Sequence, residues 1–183
     1  KKYNVEYSVC SSYVAYHEDI HGGNVEMLNK ITGHSNLLGS PVISPTHMDT
    51  SIEWLDMFKT NNRLAHATLM IDTVLERPGS DLYMKLFAEA ARRNIPVFLN
   101  GPNRDQIRLM SWPKGPGFAP YEGRSAAADV ASMLLEVGQR YQNLPIILGH
   151  GMGEDGIELV KKTKKIYLEL SGSFPEAGVV RRA

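Results

Sequence analysis

Cysteine is nearly absent. Cys10 is the only one in 183 residues, which excludes an internal disulfide framework and fits a reducing compartment. No apolar run approaches the ~20 residues that a membrane-spanning helix needs, and no signal-peptide pattern opens the chain. Neither sign of charge dominates: Lys plus Arg and Asp plus Glu number 20 each, so nothing points to nucleic acid or a membrane as a partner. The glycine fingerprint of dinucleotide-binding folds is missing as well, as are low-complexity segments and internal linkers. What remains is an ordinary globular composition, 43% hydrophobic and 22% charged, long enough for one domain with a sizeable core. A cytoplasmic location is the expectation. The chain begins without Met and stops at Arg181-Arg182-Ala183 within a helix-like pattern, as expected of part of a longer polypeptide.

One stretch organises the rest. Leu144-Pro145-Ile146-Ile147-Leu148 is a short apolar run, which reads as a strand buried on both faces. It gives way to Gly149-His150-Gly151-Met152-Gly153, where glycines allow a tight turn and close approach to a ligand. One imidazole thus stands at the carboxyl end of a core strand, where α/β proteins build their sites. The plan recurs in Ile95-Pro96-Val97-Phe98-Leu99-Asn100-Gly101 and in Ile166-Tyr167-Leu168-Glu169-Leu170-Ser171-Gly172. Three strands that each end in a small polar cluster imply one shared site.

The remaining elements follow in order. Residues 4–10 alternate in character and read as a strand. Residues 17–23, with Gly22-Gly23, read as a loop, and Asn24 as the cap of a helix carrying Met27, Leu28 and Ile31. Residues 38–44 read as one strand. Thr50-Ser51-Ile52-Glu53 has capping-box spacing and opens the next helix. Residues 67–71 form a further strand, and a helix over 81–93 places Leu82, Leu86 and Ala90 on one face. A long proline-rich loop, residues 101–123, separates Asn100 from a helix over 125–141. Such loops often act as lids or binding loops. Helices over 154–163 and from Ser173 onward complete the pattern. Strand and helix alternate about six times, which predicts a parallel sheet covered by helices and favours most of a (β/α)8 TIM barrel over a doubly wound sheet.

The stretch from Tyr141 to Gly153 resembles the strand-and-turn signature of the amidohydrolase-related TIM-barrel family. That family includes metal-dependent hydrolases and decarboxylases of the aminocarboxymuconate-semialdehyde type. Supporting matches lie at residues 42–45, 95–101, 166–172 and 175–183. The resemblance implies one barrel domain over residues 1–183, incomplete at both ends. Residues 4–9 would be its second strand and residues 165–170 its seventh. The first and eighth strands, which carry a His-x-His pair and an Asp as metal ligands in the family, would then lie outside the chain. The resemblance further implies one divalent metal, zinc before manganese, although Asn100 stands where the fifth strand normally offers a histidine. An amide oxygen is a poor zinc ligand. His150 takes the sixth-strand position, either as a metal ligand or, in the mononuclear decarboxylase type, as an acid or base.

The expected function is a metal-dependent hydrolase or decarboxylase acting on a small polar substrate, with His150 moving a proton and Asn100 orienting substrate or water. The alternative is a metal-free, degenerate barrel that binds a small ligand without catalysis, which Asn100 favours. Further candidates are His47 and Asp72 after strands, Arg104 and Trp112 in the long loop as a carboxylate clamp and a roof, and Ser171 at a strand exit. Arg108 lies in the same loop. Asp49 reads as a helix cap or, like His47, a substrate contact, the histidines of residues 17–21 as structural or solvated, and His34 and His66 as structural. Glu169 needs a partner if it points into the barrel. The implied assembly is a homodimer.

Overall fold

A computed structural model describes residues 5–71, 76–100, 126–150 and 153–169, and within them every strand pairing is parallel. The strands are β1 (Ser8–Cys10), β2 (Leu37–Gly39), β3 (Val42–Ile43), β4 (Ala67–Met70), β5 (Val97–Asn100), β6 (Ile146–Gly149) and β7 (Ile166–Leu168). Between them run α1 (Tyr13–His17), α2 (Ile20–Ile31), α3 (Met48–Met57), α4 (Asp81–Arg92), α5 (Ala126–Arg140) and α6 (Gly153–Lys162). β1 pairs with β2, while β3 to β7 form one sheet in sequential order. A doubly wound sheet reverses its order at a switch point, and no reversal occurs among these strands. Sequential parallel βα units are the construction of a TIM barrel.

Residues 38–44, read as one strand from sequence, are broken at Ser40-Pro41. Pro41 has no N–H for a ladder bond, and the chain changes partner there. Ser40 N–H donates to the Cys10 carbonyl beside β1 at 2.8 Å, and Thr68 N–H of β4 donates to the Pro41 carbonyl at 2.8 Å. β2 and β3 are therefore two halves of one stave, and the seven segments make six staves. Past the break β1 has ended, so the outer edge of β3 needs other partners. Two helical side chains supply them. Asn24 of α2, fully buried, donates Nδ2 to the Val42 carbonyl at 2.9 Å and accepts the Val42 N–H at 2.8 Å. Ser51 of α3 donates to the Ser44 carbonyl and accepts the Ser44 N–H, both at 2.9 Å.

These clamps correct two helix starts. Asn24 is not a cap: α2 begins at Ile20 behind Asp19, whose Oδ1 accepts the Gly22 N–H at 2.9 Å. Likewise α3 begins at Met48 with His47 as its N-cap, so Thr50 and Ser51 lie inside the helix and Asp49 sits in its first turn. Gly22-Gly23 is helix rather than loop. A Cβ on Gly23 would come within 2.2 Å of the Ala15 backbone nitrogen, so α1 and α2 meet backbone to backbone.

The main core lies between sheet and helices. Val97, Leu99, Ile146 and Leu148 pack with Leu86, Phe87 and Ala90 of α4 and with Val130, Leu134 and Val137 of α5. The buried face of α4 is Tyr83, Leu86, Phe87 and Ala90, with Leu82 at its margin. A smaller cluster of Met27, Ile31 and Leu64 packs against Cys10 and Leu37. Arg93, its side chain 5% exposed, ties α3 to α4: Nε and Nη2 reach the two oxygens of Asp56 at 3.1 Å each, and Nη1 bonds Glu89. Among the described residues no helix is long and apolar enough to cross a membrane.

Candidate active site

Alternation along the strands decides what faces the barrel interior. Val97 and Leu99 belong to the core shared with α4, which leaves Phe98 and Asn100 for the opposite face. The register then aligns Met70, Asn100 and Gly149 in one row at the carboxyl ends of β4, β5 and β6. On the next stave Glu169 N–H donates to the Leu148 carbonyl at 2.9 Å, which places Glu169 beside Gly149. Asn100 is half-buried and donates Nδ2 to the Met70 sulfur at 2.8 Å.

Gly149 lets an aromatic ring pack against the strand. A Cβ there would lie 2.8 Å from Phe98 Cζ. Phe98 in turn stacks on His66 with ring centroids 5.5 Å apart. Burial pushes the His66 imidazole below its ordinary pKa of 6.5, favouring the neutral ring. His66 immediately precedes β4, at the end of the strands remote from the row, where a structural role was expected.

His150 follows Gly149 with φ of 62°. This left-handed conformation brings Cβ close to the backbone carbonyl and costs energy for any residue but glycine. Its backbone N–H lies 3.5 Å from Glu169 Oε2. Glu169 thus has the partner that an inward carboxylate requires. His150, Asn100 and Glu169 come from three consecutive staves and meet at one end of the barrel.

His47 lies at the same end, after β3. Its Nδ1 is 3.1 Å from Thr46 Oγ1, which is 2.9 Å from Ser44 Oγ. It lines a pocket of about 300 Å³ together with Met70, His17 and His21. Sequence reading took the histidines of residues 17–21 as structural or solvated; His17 and His21 are indeed exposed, and they line this pocket together with His47, a placement that reading did not foresee. The overlooked signal was position. Residues 11–21 leave β1 at the same sheet end as residues 44–47 leave β3, and the βα turns of this end build barrel sites. Asp72, Arg104, Arg108, Trp112 and Ser171 lie outside the described residues.

Among the described residues no group of three or more His, Cys, Asp or Glu side chains could hold a metal ion. Asn100 occupies the position where a histidine ligand was expected and gives its N–H to sulfur. These residues do not by themselves fit a metal centre. Their row offers proton transfer and hydrogen bonding.

Sequential parallel staves with polar groups at one end define a barrel protein of the TIM type, and solved structures similar to this chain share that fold. One is the 5-carboxyvanillate decarboxylase LigW from Sphingomonas paucimobilis, with a TM-score of 0.59 at 13% identity over 87% of this chain and 56% of that one. Another is a dihydroxybenzoic acid decarboxylase from a Polaromonas species, solved with manganese and 2-nitroresorcinol, with a TM-score of 0.53 at 14% identity over 85% and 49%. A third is a TIM-barrel protein of Bordetella bronchiseptica, with a TM-score of 0.55 at 14% identity over 90% and 54%. At such identities the likeness is one of fold alone, and the chain spans about half the length of these three structures. No protein-family model matches the sequence, and no curated protein does.

Proposed function

We propose that the chain is part of an amidohydrolase-type decarboxylase acting on a small, planar carboxylic acid. Hydrolysis of a small polar substrate is the other chemistry the same end of the barrel could carry. The observation that supports this reading is the meeting of His150, Asn100 and Glu169 at consecutive strand ends. Decarboxylation breaks the bond between a carbon and its carboxylate, CO2 leaves, and a proton must take up the electron pair left on that carbon. An imidazolium at His150 can deliver that proton. The Asn100 amide can hydrogen-bond a substrate oxygen, and Glu169 holds the His150 turn through its backbone N–H. A divalent metal, manganese as in the Polaromonas structure or zinc, would draw ligands from beyond the described residues.

Asn100 also favours a second reading, a barrel that binds a small ligand without turning it over. Elemental analysis of the full-length gene product beside its Asn100→His variant separates the two. CO2 release would be followed in parallel on dihydroxybenzoates and 5-carboxyvanillate, the compounds named by the similar structures. The enzyme reading expects about one divalent ion per chain in the unmodified protein and CO2 release that falls ~10²–10⁴-fold in His150→Asn. No turnover, with metal acquired only by the Asn100→His variant, would leave the binding reading.

A further inference from the structure

We infer that Met70 sets the hydrogen-bonding polarity of the site. Its sulfur takes the amino group of Asn100 and so turns the Asn100 carbonyl oxygen to the substrate, which must meet it with a donor, a ring hydroxyl. This rests on the functional reading above and adds to it a positioning residue and a substrate group.

Met70 and Asn100 are register partners on adjacent parallel strands, so their side chains leave the sheet on the same face. The partner on the other side of Asn100 is Gly149, which has no side chain to bond. Met70 is only 7% exposed, so water competes little for its sulfur, and Asn100 Nδ2 lies 2.8 Å from it. A half-turn of an amide exchanges its oxygen and nitrogen, and the chemistry of the neighbour decides between the two. A thioether has lone pairs and no proton, so it can only accept. The amino group therefore faces the sulfur, and Oδ1 faces away from it. Oδ1 has no hydrogen-bond partner among the described residues, and unlike Trp54 Nε1 it is not sealed from solvent. An open carbonyl oxygen accepts from a hydroxyl and repels a carboxylate. The reacting carboxylate is thus kept off Asn100, while a hydroxyl is drawn to it, one stave from His150. Without the sulfur, either end of the amide could face the substrate and the preference would lapse.

The test is calorimetric binding of 1,3-dihydroxybenzene and 1,3-dimethoxybenzene to the full-length gene product and to its Met70→Leu and Asn100→Leu variants. The first ring can donate and the second can only accept. Leucine keeps most of the methionine volume and removes the acceptor, so circular dichroism of Met70→Leu should match the parent. The diol should bind ~3–10-fold tighter than the diether in the parent, and either substitution should bring that ratio close to unity. Loss of packing alone would weaken both ligands together and leave the ratio as it was. Equal affinities in the parent, binding of neither ligand, or a ratio that survives either substitution would each overturn the inference. CO2 release assayed in the same samples separates the two claims. Turnover with a ratio indifferent to Met70 keeps the proposed function and sinks this role for Met70, whereas a Met70-dependent ratio without turnover does the reverse.

Discussion

His150 is held in a backbone conformation that suits glycine better than histidine. Its φ of 62° is fixed from both sides. Gly149 packs on Phe98 before it, and Glu169 accepts its N–H. Strain of this kind survives where the surroundings over-determine it, and it gathers at functional sites. Two substitutions separate backbone from side chain. His150→Ala keeps the strained φ and loses the ring; His150→Gly loses the ring and relaxes the strain. The glycine variant should therefore be the more stable by about 1 kcal/mol in urea unfolding, with both variants impaired in turnover. Equal stabilities would mean that the turn carries no strain. The position of His150 was legible in the sequence, because an apolar run ending in glycines puts the next residue at a strand's carboxyl end. Its conformation was not, since that depends on an aromatic ring fifty-one positions earlier, Phe98 against Gly149.

At the scale of elements, strands were easier to read than helix starts. Apolar runs led by Pro96 and Pro145 marked β5 and β6 closely, because burial on both faces leaves few other readings. Helix starts failed where polar residues had a second use. Asn24 and Ser51 resemble caps locally, yet each serves a strand edge eighteen and seven residues away, and capping logic does not see such distances. Gly22-Gly23 misled for the same reason. Its small size serves a helix crossing rather than a turn. That crossing reverses an ordinary rule. Alanine for glycine inside a helix usually stabilises by about 0.5–1 kcal/mol. Gly23→Ala should instead destabilise by about 1–3 kcal/mol, because the new methyl meets the Ala15 backbone. Urea midpoints measure the sign directly, and a stabilised variant would show that α1 and α2 do not touch as described. Part of the candidate site depended on this packing, since Ala15 to His21 line the pocket with His47. Their place after a strand put them at the right end of the sheet, but their local sequence did not show which neighbours they would meet.

The whole molecule should lose stability in two stages as pH falls. Burial holds the His66 pKa below its ordinary 6.5. Below that value the unfolded chain takes up a proton that the folded one resists, so stability declines as pH drops through the region just under 6.5. Arg93 then governs the second stage. Its hydrogen bonds hold the Asp56 carboxyl well below the ordinary 3.8, with Lys59 assisting, and lower that of Glu89 from 4.5 with help from Arg92. A carboxylate whose pKa is depressed on folding stabilises at pH above its unfolded value, and that contribution is lost as pH falls through the folded one. Unfolding midpoints should therefore begin to fall below about 6.5 and fall further in the carboxylate range. His66→Phe should flatten the first stage and leave the second. An unchanged first stage in that variant would assign it to another group.

The broken stave at Ser40-Pro41 has one more consequence. It divides the packing of the chain unequally: a small cluster around Met27, Ile31 and Leu64 on one side, and the large core on the other. Units with few buried contacts open more readily than the whole. The pocket straddles the divide, with the α1–α2 turn on one wall and the β3–α3 turn and Met70 on the other. Whatever fills it bridges the two units, and its free energy of association is added to the weaker one. A ligand there should then raise protection from hydrogen exchange in α1, α2 and β2 along with that of β3, so the first third of the chain would report its occupancy.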